Sequence, residues 1–454
     1  MQHPTINIPL PNPGGKKVYA TFDIGSLSTD AGLAFVRQVD DRLGLTASLA
    51  GLLPDPRNPL FTVHSHLDLF RQRVYSIVAG YEDTNDAKTL RGDPALKLAT
   101  GRDPMDPLED LGSQSSLCRF EHRITAQSLA LMEMTYYEGW LKGRAKPKRL
   151  ILDADSTWEP THGDQQLAFF NAHYDSYGYH PILIFDTETA DLLVAHLRPG
   201  NVGAAEGVVP LLEGIVQSVR AKWPGVPILF RADAGFAGPE LYDWCEANQV
   251  DYIIGLGINP VLKRLSAECL KAATAQYVDL LSAGKLEPGE LGKAFTEFKY
   301  QAESWSKPRR VIAKAEFGPR GDNQRYVVTS LKGKTPRQMY TFYGQRGQSE
   351  NWIKNLKNAL AGDRLSCSEF LPNAFRLLLH AVAYRLCLAL ADTVKTITGE
   401  IWQFDTLRLR LIKVAGLFVE QARRVLLHLP SACPYAALWE KLWRALAPPR
   451  PQVA

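Results

Sequence analysis

Paired cysteines are missing from this chain of 454 residues. Its six cysteines, Cys118, Cys245, Cys269, Cys367, Cys387 and Cys433, are scattered with no CxxC pair. That spacing excludes a zinc ribbon and a disulfide framework. The opening stretch, MQHPTINIPLPNPGGKKVYA, carries no apolar core of the kind a secretory signal needs. The greasiest run, AFRLLLHAVAYRLCLALA, is interrupted by Arg376, His380 and Arg385. It therefore reads as a buried amphipathic helix rather than a membrane span. Neither a phosphate-cradling P-loop nor a GxSxG elbow is present, so the commonest nucleotide-hydrolase and esterase signatures are absent. No internal repeat or low-complexity segment occurs. These absences leave the expectation of a cytoplasmic protein with no membrane partner.

What is present is ordinary globular composition: 45% hydrophobic, 22% charged, formal charge +4. The length calls for two to three domains. A mildly basic chain permits a nucleic-acid partner without demanding one. A leader spans 1–27. From 28 to 147 the texture is helical, and Phe70, Val74, Ile77, Val78 and Tyr81 recur at helical spacing. This region ends in the basic stretch LKGRAKPKR, a linker or a loop that touches a phosphate backbone. From 148 to 257 strands and helices alternate. RLILDAD reads as a buried strand, HPILIFDTETADLLVAHLRPGN as two strands joined by a turn, and VPILFRADAG and VDYIIGLG as two more. Helices AEGVVPLLEGIVQSVRAKW and PELYDWCEANQ lie between them. The pattern describes an α/β fold with a mixed central sheet. From 258 to 340 FTEFKYQAESW, RRVIAKAEFG and QRYVVTSL read as antiparallel strands of an inserted β-rich piece. A helix-forming segment, 341–395, and a basic region, 396–454, complete the chain.

The residues that carry chemistry are mostly acids. Asp233, in LFRADAGFAG, falls just beyond an apolar strand, where open sheets place ligand-handling groups; alone it reads equally as a turn or cap aspartate. Asp153 and Asp155, in LILDADST, are two apart on a strand and point to one side. Two acids on one face are costly to bury without a cation or donors, and spacing does not say which of them faces a site. In YGQRGQSENWIKNLK, Tyr343, Arg346, Glu350 and Lys357 recur at intervals of three, four and seven, which an α-helix returns to one face. Alone, that stripe reads equally as a solvated face with one ion pair. An aspartate on a first strand, a second after a later strand and a glutamate on a following helix can converge at one end of a sheet. Three such carboxylates call for a hard divalent cation, Mg²⁺ or Mn²⁺, and two ions suit in-line phosphoryl displacement.

This order, with Tyr-x2-Arg-x3-Glu-x6-Lys, resembles the motif of IS4-type DDE transposases. The blocks VAGYEDTNDAKTLRGDPALKLATG, LDADSTWEPTHGDQQ, LRPGNV, RADAGF, DYIIGLG and YGQRGQSENWIKNLK resemble more closely those of the IS1380 family of insertion-sequence transposases, over residues 55 to 435. The resemblance implies an RNase H-like core, 148–257 and 341–395, interrupted by the β-rich insertion and preceded by a helical DNA-binding region. It implies a catalytic, metal-binding triad of Asp155, Asp233 and Glu350. Asp155 is favoured over Asp153 because Ser156 and Thr157 follow it, as small hydroxylic residues follow the first aspartate in the family. Tyr343, Arg346 and Lys357 match the DNA-contacting positions. The implied cofactor is two Mg²⁺ or Mn²⁺ ions. The implied partners are double-stranded DNA, as terminal inverted repeats and target, and a second copy of the chain in a synaptic homodimer.

Other residues read less sharply. Gly344 and Gly347 weaken a helix, so the helix is expected to begin between Gln345 and Gln348, with Tyr343 on the lead-in. Trp305 suits packing in the insertion more than stacking on a flipped base. His162 and His173 read as structural rather than as metal ligands, and Arg198 reads either as a DNA contact or as a strand-end brace. Alternatives to a transposase are an RNase H-like nuclease without strand transfer, an inactive DNA-binding descendant, and an unrelated α/β protein.

Overall fold

The structure, a computed structural model, describes residues 5–8, 16–142 and 144–447. Two compact units account for the chain. The first takes in residues 1–124, 358–361 and 382–454, and the second residues 125–357 and 362–381.

The first unit is mainly helical. Its helix His66–Ala79 starts on a reciprocal cap, in which Ser65 Oγ accepts from the Asp68 backbone and Asp68 accepts from that of Ser65. Gly80 ends the helix with φ 93°, a left-handed cap that only glycine adopts cheaply. The apolar spacing is satisfied: Phe70, Val74, Ile77 and Val78 are all buried. Arg73, on the same helix, is also buried and pairs with buried Glu121 at 2.7 Å. The basic C-terminal region belongs to this unit. Its strand Gly416–Gln421 pairs antiparallel with Leu27–Ser28 and with Arg424–His428. The long apolar helix Phe370–Thr398, which contributes residues 370–381 to the second unit and the rest to this one, has a mean hydropathy of 1.5 over a window that is 89% buried, as in the core helix of a globular fold.

The second unit is built on an eight-stranded sheet. In chain order its strands are β1 (Leu150–Ser156), β2 (Ile182–Asp186), β3 (Leu192–His196), β4 (Ile228–Ala232), β5 (Val250–Leu256), β6 (Gly292–Tyr300), β7 (Arg309–Gly318) and β8 (Gly321–Thr329). Their spatial order is β6-β7-β8-β5-β4-β1-β2-β3. Strands β1, β2 and β3 form an antiparallel meander, while β4 and β5 run parallel to β1. The sub-order β3-β2-β1-β4-β5, antiparallel then parallel, is the RNase H-like arrangement. The parallel steps are made through two crossover helices, α2 (Val208–Lys222) and α3 (Pro239–Ala247).

Residue alternation divides the faces of this sheet. Leu150, Leu152, Ala154, Ile228, Phe230, Ala232, Tyr252 and Ile254 point to a large core shared with α1 (Ala126–Leu141), α2 and α3. Leu229, Ile253, Ile312 and Val327 point the other way, onto Met339 and Tyr343 of α4 (Pro336–Gly344). Asp153, Asp155 and Arg231 share this second face by the same period of two.

Two expectations are refined here. The segment after 257 opens with helices, Pro260–Leu265 and Ala267–Ser282, which the residue pattern does not single out. The longer one buries only Cys269 and Ala273, too narrow an apolar stripe to read in the sequence. The three strands that follow continue the central sheet, through β8 pairing with β5, rather than forming a separate layer. Trp305 is buried between Tyr242 and Tyr300, with Arg309 over its ring. It packs the fold.

Candidate active site

The site begins with register. Strands β1 and β4 are parallel, with Arg231 opposite Asp153 and Ala232 opposite Ala154. The ladder ends there, as β4 stops at Ala232, and Asp233 follows on near Asp155, close enough for its charge to act on that carboxyl. Asp153 and Asp155 thus share a face but not a role. Asp153 is fully buried and accepts from two of the three guanidinium nitrogens of Arg231, Nε and Nη2, at 2.6 and 2.7 Å. Arg231 also donates to the Phe342 carbonyl at 2.8 Å, tying the sheet to α4. Asp155 has no such buried partner. Burial, only partly offset by Arg346 and reinforced by the charge of Asp233, pushes its carboxyl up to about 6.

Asp233 is half-buried and accepts from the Gly235 backbone at 2.9 Å, so it is a turn cap as well as a neighbour of Asp155. The turn is tightly packed. A Cβ on Gly255 of β5 would lie 2.6 Å from the Ala234 nitrogen and 2.8 Å from the Tyr343 hydroxyl. Only a glycine lets β5, the Asp233 turn and Tyr343 meet. The adjoining loop is held by Arg198, which is buried and donates to the carbonyls of His180, Gly203, Ala204 and Glu206. Burial lowers its guanidinium to about 10. Arg198 is a brace for this loop.

The motif helix is more irregular than its spacing implies. Helix α4 begins at Pro336 with Thr335 and Gln338 capping each other, so Tyr343 lies within a helix rather than on a lead-in. The glycine penalty is absorbed by a change of winding. A 3₁₀ turn, Gln345–Gly347, is followed by α5 (Gln348–Lys354) and a π turn, Asn355–Ala359. Each departure from α winding shifts the helical phase where it occurs, and the four motif residues meet different surroundings: Tyr343 meets Gly255, Arg346 meets Asp155, Lys357 meets Thr157, and Glu350 is exposed. Arg346 Nη1 donates to Asp155 Oδ2 at 2.9 Å, supplying the positive charge that two adjacent carboxylates need. Tyr343 lies close enough to Arg346, Asp233 and Asp155 for their charges to act on it, and burial chiefly holds its phenol above the ordinary range. Helix α5 is seated on the sheet by Trp352 against Phe185. Glu350 opens that helix and is exposed. Among the described residues no three His, Cys, Asp or Glu side chains are gathered closely enough to hold a metal ion. Asp155 and Asp233 therefore meet, with Arg346 and Tyr343, while Glu350 stands apart from them.

Lys357 serves the segment after β1. Its Nζ donates to Thr157 Oγ1 at 2.9 Å and to the Trp158 carbonyl at 2.6 Å, and lies 3.5 Å from Glu159. Burial, opposed by Lys357, pushes the Glu159 carboxyl up to about 8 from an ordinary 4.5. Between these two values the folded chain holds a proton that the unfolded chain has released. Stability from this group is thus full below about 4.5 and falls as pH rises through 8. Glu159→Gln is expected to flatten the pH dependence of unfolding between pH 5 and 8. At about 1.4 kcal/mol per unit of pKa, the variant should gain on the parent by on the order of a few kcal/mol over that range. Denaturant titrations at each pH check this.

Tyr174 also belongs to the site's wall. It stacks on Trp158 with centroids 4.8 Å apart, and its phenol is raised by burial first and then by Asp155 and Asp233. No local signal marks Tyr174 in the sequence. His173 meets the edge of Tyr174, and its backbone bonds Asn171, in keeping with a structural turn.

A sheet of this order, with Asp155 and Asp233 close together at one end of β1 and β4 and the helix carrying Tyr343 packed against the same face, is an RNase H-like α/β fold. The chain belongs to the transposase DDE domain group 1 family, whose model matches residues 10–451. Among solved structures it resembles the piggyBac transposase synaptic complex with hairpin DNA. The two are 14% identical with a TM-score of 0.44, over 85% of this chain and 80% of that one. No curated protein matches it in sequence.

Proposed function

We propose that this DDE-family chain is an insertion-sequence transposase of the IS1380 type. It would bind terminal inverted repeats and catalyse metal-dependent cleavage and strand transfer, with Asp155, Asp233 and Glu350 as its acids. The observation that carries this reading is the end of the β1–β4 ladder, where Asp233 follows on near Asp155 while Asp153 is committed to Arg231. The donor set fits a hard divalent cation: two adjacent carboxylates, one held well above its usual range by burial and by its neighbour. Asp155 and Asp233 would hold Mg²⁺ or Mn²⁺, with Glu350 brought in from α5. When bound, the ions would activate the attacking hydroxyl and stabilise the leaving oxygen.

The chain's own groups handle the DNA. Arg346, with its rigid fork of donors, would orient the scissile phosphate beside Asp155. Tyr343, wedged against Gly255, would donate from its hydroxyl to the same phosphate group. Lys357 fixes the segment 157–159 that forms the next stretch of wall, and its charge would favour the phosphate backbone. The first unit would contribute end recognition, and two copies would pair two ends.

The test is strand transfer by purified protein. A labelled duplex carrying the inverted repeat that flanks its coding sequence is incubated with a target plasmid, with Mg²⁺ or with EDTA. Joined products that need both the cation and Glu350 are expected. Cleavage without joining would make the chain a nuclease, and binding without cutting an inactive DNA-binding descendant.

A further inference from the structure

The first unit carries a feature that the catalytic reading does not use. In the loop after Pro56, Leu60, Phe61 and Val63 are 88%, 83% and 71% exposed. Solvent-exposed apolar side chains on a loop usually accompany mobility, yet this loop is braced from behind. Arg57 Nη1 donates to the His64 carbonyl at 2.8 Å, Arg102 Nη2 to the Val63 carbonyl at 2.7 Å, and Asn58 caps the turn Pro59–Phe61. Beside the tip lies a cavity of about 350 Å³, lined by Arg57, Phe61, His64, Arg119, Phe120 and Arg123 among others. Asp55 is the carboxylate that pairs with Arg57 and, at 3.7 Å, with Arg123. Arg119 is exposed and donates to the Ser116 hydroxyl at 3.4 Å. His64 Nδ1 is buried and has no hydrogen-bond partner among the described residues. Four guanidinium groups, Arg57, Arg102, Arg119 and Arg123, and an imidazole thus surround a braced apolar point, with two acids, Asp55 and Asp68, paired among them.

We infer that this loop is a DNA wedge: Leu60 and Phe61 enter a base step of duplex DNA, and Arg119 and Arg123 take the flanking phosphates. The inference rests on the reading that the chain acts on DNA. Size and charge together select the occupant. Three side chains fall well short of the about 800 Å² per partner that a stable protein interface buries. An apolar wedge of two or three side chains flanked by cations, by contrast, is the form that kinks a duplex by partial unstacking. The arginine rim meets the charge of the phosphates on either side of the opened step.

The experiment uses the full chain and an inverted-repeat duplex with 2-aminopurine at successive positions and a fluorophore pair at its ends. Wild-type binding is expected to raise 2-aminopurine fluorescence at one step and to shorten the end-to-end distance. Leu60→Ala/Phe61→Ala should lose both signals and bind roughly tenfold more weakly, with an unchanged salt slope. Arg119→Ala/Arg123→Ala should keep the position of the fluorescent step while the slope of log affinity against log salt falls by about two. These side chains are exposed or at a rim, so melting temperatures should match the parent and report folding. Wild-type binding with no fluorescent step overturns the wedge and leaves the transposase reading standing. So does an apolar variant with wild-type signals, or one whose only defect is in self-association. A wild-type chain that does not bind the duplex overturns both.

Discussion

Asp233→Asn leaves the protein folded and bound to its end DNA, and lowers cleavage by about a thousandfold or more. The substitution keeps the shape and retains an acceptor for the Gly235 backbone hydrogen bond that Asp233 now accepts. Under the proposed function it removes one of the two charges, Asp233 beside Asp155, that would hold a divalent cation. Binding should hold or tighten slightly, because one negative charge fewer faces the phosphates. Gel-shift affinity and single-turnover cleavage, measured on the same preparation, separate the two effects. Asp155→Asn should behave alike. A variant that cleaved at the parental rate would remove Asp233 from the chemistry.

Asp153→Asn and Arg231→Ala have the opposite profile. Both side chains lie inside the sheet-to-α4 contact, 0% and 2% exposed. Removing one partner strands the other charge in the interior, at a cost of about 3–5 kcal/mol. Arg231→Ala also removes the donor to Phe342 and the guanidinium that lies over its ring, which loosens the helix carrying Tyr343. Replacing both by apolar residues of similar volume, Asp153→Leu with Arg231→Met, should recover most of the loss. Denaturant unfolding of the singles and the double checks this. Two singles of wild-type stability would show that the pair does not hold the fold.

This contrast also marks how far the sequence could be read. The strands of the core, the crossover helices and the cap of helix His66–Ala79 all have local causes: apolar runs, helical periodicity, and Ser65 three residues before Asp68. The choice between Asp153 and Asp155 rests in the sequence only on Ser156 and Thr157, through the family resemblance, and not on spacing. Both point to one side of β1, and what separates them is Arg231, 78 residues later in sequence and opposite Asp153 in register. The Tyr343-to-Lys357 stripe was legible as a helix but not as a sequence of 3₁₀, α and π winding, because ideal spacing cannot anticipate a change of phase. Gly255 looks like any glycine in a strand until the Ala234 nitrogen and the Tyr343 hydroxyl are seen against it. The pairing of Leu27–Ser28 with Gly416–Gln421 spans almost the whole chain. Arg198, open to two readings in the sequence, is decided by four carbonyls that only the folded loop brings to it.

The central claim is that Asp155 and Asp233 together form a cation site at the end of the sheet. Its most direct test is Mn²⁺ binding to the purified chain, followed by electron paramagnetic resonance of the free ion. The account predicts that the parent binds Mn²⁺, that Asp155→Asn and Asp233→Asn each weaken binding at least about tenfold, and that the folded fraction of Asp153→Asn binds as the parent does. Unchanged Mn²⁺ affinity in both Asp155→Asn and Asp233→Asn would contradict it.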